Sequence, residues 1–68
     1  MKSEDFVVGG LYRIVGCCNN HGFANGEVVK AFEYFGEEKG EVVLDCIPLG
    51  AKDKQRAFLV RSSDVEAV

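Results

Sequence analysis

Residues 27–35 read EVVKAFEYF, and after GEEKG at 36–40 the chain continues EVVLDCIPL over 41–49. Both runs are dense in β-branched and aromatic side chains, which suit a pleated, half-buried surface. Glycines bound them, and each has the length of an ordinary strand. Val28, Ala31, Phe32 and Phe35 also fall at helical spacing, so a helix over 27–35 is the competing reading. The flanking glycines and the shortness of the run favour a strand, and 36–40 then reads as the turn between two strands. Pro48 has no N–H to donate, which suits an edge better than the middle of a sheet.

The same rhythm extends outward. Eight glycines cut the 68 residues into short segments, the spacing of an all-β barrel or sandwich and too tight for βαβ units. Residues 6–15 set Leu11, Arg13 and Val15 on one face and Tyr12 with Ile14 on the other, with Gly9 and Gly10 as a turn or bulge. Residues 16–26 (GCCNNHGFANG) have no periodicity and read as a long loop that Phe23 anchors by folding inward. Residues 51–56 form a charged turn and 57–61 a short fourth strand. Ser63 and Glu66 match a capping box, with room after it for a single 3₁₀ turn that sends Val65 and Val68 into the core.

Composition bounds the class. A hydrophobic fraction of 47% with 28% charged residues fits a folded globular chain, and the length allows one domain, residues 1–68. Eleven acidic against eight basic residues make the net charge -3, which repels a phosphate backbone at long range and makes nucleic acid a less favoured partner. The cysteine count, three, is odd, and the adjacent Cys17 and Cys18 cannot form an ordinary disulfide with each other, so a reducing cytoplasm is expected. Met1 to Asp5 is charged, and no apolar run approaches the roughly 20 residues that cross a bilayer, so neither secretion nor a membrane partner is expected.

Three segments carry a resemblance: Val-Gly-Gly-x-Tyr-Arg-Ile-Val at 8–15, His-Gly-Phe-x-x-Gly-Glu-Val-Val at 21–29, and Phe-Leu-Val-x-x-x-Asp-Val-Glu-x-Val at 58–68. Together they resemble small Src-homology-3-like barrel accessory proteins of tailed bacteriophages. The resemblance implies a five-stranded barrel in which the segment after Gly16 is the long first loop. It also implies that the turn at 63–66 joins the last two strands. Cys17, Cys18 and Cys46 lie outside the resembled pattern, and function transfers poorly within such a fold.

Chemistry-bearing residues are few. Cys17, Cys18, His21 and Cys46 could supply a tetrahedral zinc site by count, but adjacent cysteines rarely aim both sulfurs at one ion. Reduced cysteines, with Cys46 in the core, and no cofactor are therefore expected. A nucleophilic Cys17 or Cys18 activated by His21 would need an orienting group and a pocket. The single His builds no confident Ser-His-Asp set, and the glycines form no Walker loop, so no catalytic residue is assigned. Glu37, Glu38 and Glu41 read as a solvated turn around Lys39. Lys52, Lys54, Arg56 and Arg61 form a local basic excess that, with Tyr34 as a stacking platform, supports an alternative nucleic-acid-binding role of KOW type.

The two central strands are apolar on both faces. Val28, Val29, Phe32, Tyr34, Phe35, Val42, Val43, Leu44 and Ile47 cannot all enter one small interior, because successive side chains point to opposite sides. Either the 36–40 turn folds back over the surplus, or the surplus forms an external contact surface. The second reading assigns Phe32, Tyr34, Phe35 and Val29 to a protein interface, with a homodimer or a foreign chain as partner.

Overall fold

The computed structural model describes residues 1–16, 22–51 and 57–68. Five antiparallel strands run in chain order as β1 (Leu11–Ile14), β2 (Val28–Glu38), β3 (Glu41–Pro48), β4 (Phe58–Arg61) and β5 (Val65–Ala67). Short 3₁₀ turns at Ser3–Asp5 and Ser62–Asp64 precede β1 and β5, and no α-helix occurs among the described residues. Residues 27–35 are therefore extended, as their β-branched and aromatic content predicts.

Hydrogen bonds order the sheet β4-β3-β2-β1-β5. β4 and β5 are its two edges, so no ladder between them closes the expected barrel. The 3₁₀ turn at Ser62–Asp64 links the two edge strands directly. Pro48 stands opposite Val29 beyond Cys46, where β4 ends its pairing, so its missing N–H interrupts no ladder with β4.

Period-2 patterning places the core. Tyr12 and Ile14 of β1, Val29 and Ala31 of β2, Leu44 and Cys46 of β3, Val60 of β4 and Val65 of β5 are all buried in one cluster. Phe23 joins them as the sequence predicts, packing edge-on against Phe58 with ring centroids 5.3 Å apart. Gly22 makes that anchor possible, since a Cβ there would come within 2.6 Å of the Phe58 ring. The Tyr12 hydroxyl accepts the Val7 N–H at 2.8 Å and lies 3.0 Å from the Asp5 carbonyl oxygen, tying the amino-terminal segment to the sheet.

Three expectations need correction. The hairpin turn is shorter than 36–40: β2 runs to Glu38, and only Lys39 and Gly40, at φ 52° and 83°, make the reversal. Positive φ at both positions is the type I′ geometry whose twist matches that of paired strands. The box expected from Ser63 to Glu66 is replaced by one two residues earlier, in which the Arg61 N–H donates to Asp64 Oδ2 at 3.2 Å. Val68 is exposed because β5 stops at Ala67, whereas Val65 is buried as expected.

Candidate protein-binding surface

β3 sets the reference for the faces of β2. Leu44 and Cys46 are core residues, so Val43, Asp45 and Ile47 point to the opposite, outer side. Directly opposed residues share a face. Ala31 opposite Cys46 is therefore inside, and Glu33 opposite Asp45 is outside. Residues two apart on a regular strand share a face, and these two do not, so an irregularity must intervene. It does: the register slips between Ala31 and Glu33, and again between Tyr34 and Gly36.

At each slip two residues of β2 face one residue of β3, which is a β-bulge. Phe32 accompanies Glu33 opposite Asp45, and Phe35 accompanies Gly36 opposite Val43. Strict alternation from Val29 would have carried Glu33 and Phe35 inward. The first bulge brings both out, onto the side of the sheet that Leu59 of β4 shares through its pairing with Asp45. Phe32, Phe35 and Leu59 are all exposed, while Val43 and Ile47 of β3, on the same side, are buried outside the main core cluster.

Tyr34 stands opposite Leu44 and so belongs to the inner side of the sheet, yet it is 59% exposed, matching the 58% of Phe35 on the outer side. The hairpin does not fold back over either ring. Val29, by contrast, is 0% exposed, locked between Tyr12 and Pro48, and is corrected from interface to core. Leu59 is the surface residue that sequence reasoning missed. Its signal was indirect: Glu33, in phase with core residues Val29 and Ala31, flags a bulge, and the bulge identifies the face.

The other expected sites separate. Arg61 pairs with Glu38 at 3.0 Å, which ties it to the hairpin, and Lys52, Lys54 and Arg56 lie outside the described residues. Cys17, Cys18 and His21 also lie outside them, and no cluster of three metal-ligating side chains occurs among the described residues. Cys46 is buried, and burial, reinforced by the nearby Asp45 charge, pushes its thiol up to about 12. Such a thiol is neutral near pH 7 and is a packing group.

The expected carboxylate turn is structured in two places. Glu38 is held by Arg61. Glu41 accepts the Ser63 N–H at 3.0 Å and the Ser62 hydroxyl at 3.3 Å. Hydrogen bonding from Ser63, its side chain foremost, holds the Glu41 carboxyl below its ordinary value, with partial desolvation opposing. Glu37 is exposed on β2 beside the bulges. The described surface has no pocket.

Comparison with protein-family models, with characterised proteins and with solved structures finds no match to this chain. No helix among the described residues is long and apolar enough to cross a membrane.

Proposed function

We propose that the chain is a non-catalytic protein-binding accessory module, a small Src-homology-3-like barrel encoded by a tailed bacteriophage and acting on a host or phage protein in the bacterial cytoplasm. The strand order β4-β3-β2-β1-β5, the long connection between β1 and β2, and the 3₁₀ turn between the last two strands support the barrel reading. One observation carries the binding role. The bulge at Phe32 and Glu33 reverses the alternation of β2 beyond Ala31, so that Phe35 joins Phe32 on the outer side of the sheet that Leu59 shares, exposing aromatic area in a protein too small to waste it.

Buried aromatic area supplies affinity at protein interfaces, and residues of this type dominate it. The test is recovery of a partner from the source cells by the intact chain. Phe35→Ala and Tyr34→Ala should lose that partner while the circular dichroism spectrum stays unchanged. Retention of the partner by both variants would overturn the assignment. Salt-sensitive binding to nucleic acid, abolished on neutralising Lys52, Lys54 and Arg56, would instead establish the KOW-type role.

A further inference from the structure

β2 is longer than the strands beside it. β1 pairs with it only up to Lys30, with one further pair of hydrogen bonds reaching Ala31 from Gly9 and Gly10. From Tyr34 to Glu38 no described strand lies on the side of β2 away from β3, so this stretch is a margin of the sheet. A sheet margin can recruit a partner by adding a strand. Here the bulges oppose it, because each breaks the repeat of N–H and C=O groups that an added strand would need.

Lateral contact with a flat surface is also insufficient. Tyr34 stands on the inner side and Phe35 on the outer side, and the two are exposed to nearly the same extent. A flat partner covers one ring and leaves the other in water. Covering both requires a concave partner that straddles the margin.

Charge narrows the partner further. Glu37, exposed on β2 just beyond the two aromatic residues, has no ion pair among the described residues, and the whole chain is net -3. A second copy of this chain would bring like charge against like charge, whereas a basic partner would be complementary.

Resting on the protein-binding reading, we propose that the bulged margin of β2 is an insert. A partner protein receives it in a cleft whose apolar walls cover Tyr34 and Phe35 from opposite sides. Lysine or arginine side chains line the mouth of that cleft, facing Glu37.

The test places the photo-crosslinking residue p-benzoylphenylalanine at position 34, 35 or 49 of the full chain in an extract of the source cells. Leu49, exposed at the far end of the hairpin from Lys39, is the control. Positions 34 and 35 should capture the same polypeptide, through different peptides of it, and position 49 should not. Capture should fall severalfold in a Glu37→Lys background and on raising salt from about 0.05 to about 0.5 M. Capture through only one of the two positions would overturn the cleft and leave the protein-binding reading standing. Capture through both that ignores Glu37→Lys and salt would overturn the basic mouth, and capture through neither would overturn the aromatic surface itself.

Discussion

The carboxylate of Glu41, the first residue of β3, accepts the backbone N–H of Ser63 at 3.0 Å across the gap between the hairpin and the 3₁₀ turn. The same oxygen accepts the Ser62 hydroxyl, and Ser62 Oγ lies 3.1 Å from Ser3 Oγ, which in turn accepts the Val42 N–H. One carboxylate therefore ties the turn between β4 and β5 to β3 and, through Ser62, to the amino-terminal segment. These contacts stand where a ladder between the two edge strands is absent.

This network makes stability depend on acid. Hydrogen bonding from Ser63 lowers the folded pKa of Glu41 below 4.5, so the unfolded chain binds its proton more readily. The Glu41 contribution is complete above pH 4.5 and is lost as pH falls through the lower folded value. Urea denaturation of the protein and of Glu41→Gln, followed between neutral pH and about pH 3, should show the gap between them narrowing as pH falls. A gap that stays constant across that range would remove Glu41 from the acid response.

Lys39 holds φ at 52°, a conformation that costs a residue with a full side chain roughly 1 kcal/mol. Asparagine tolerates this region, and Asn-Gly is the preferred pair for a type I′ turn. Lys39→Asn should therefore raise the thermal midpoint by a few degrees, corresponding to about 0.5–1 kcal/mol in so small a domain. An unchanged or lowered midpoint would show that the lysine side chain stabilises the turn by another route.

Much of this fold was legible because period-2 patterning is a local property. The alternation of Tyr12 and Ile14 against Leu11, Arg13 and Val15 marks the buried face of β1 from five residues alone. Phe23 was legible for a similar reason, as a large apolar side chain in an otherwise polar loop. The faces of β2 were not. A bulge is a mismatch in count between two strands, so it depends on β3 as much as on β2, and the only local trace is the phase of Glu33. Val29 was misassigned in consequence, because an unbroken alternation gives no reason to divide the strand at Ala31. Val68 failed on a different ground: whether a terminal valine is covered depends on where pairing with β1 stops, at Ala67.

Cys46 offers a probe of opening. Its thiol, pushed up to about 12, is buried and donates weakly to the Leu44 carbonyl oxygen at 3.8 Å. In a Cys17→Ser, Cys18→Ser background it should react with a disulfide reagent at least about 100-fold more slowly in buffer than in denaturing urea, since the thiolate is the reactive species. Native reactivity equal to that of a free thiol would contradict its place in the core.

Phe35 and Leu44 provide the sharpest check on the bulges. They lie on paired strands one register step apart, Phe35 beside the Gly36–Val43 pair and Leu44 opposite Tyr34, so an unbroken alternation from Val29 would bury both. The bulged register buries Leu44 at 1% exposure and leaves Phe35 mostly in water. Truncating Leu44 removes packed methyl groups and leaves a cavity, so Leu44→Ala should cost about 2–5 kcal/mol, a large share of what a domain this size possesses. Phe35→Ala removes little that is packed and should change stability by no more than about 0.5 kcal/mol. Urea midpoints measured with an unchanged slope distinguish the two cases. Should Phe35→Ala cost as much as Leu44→Ala, the ring must be inside, and the exposed aromatic surface would go with it.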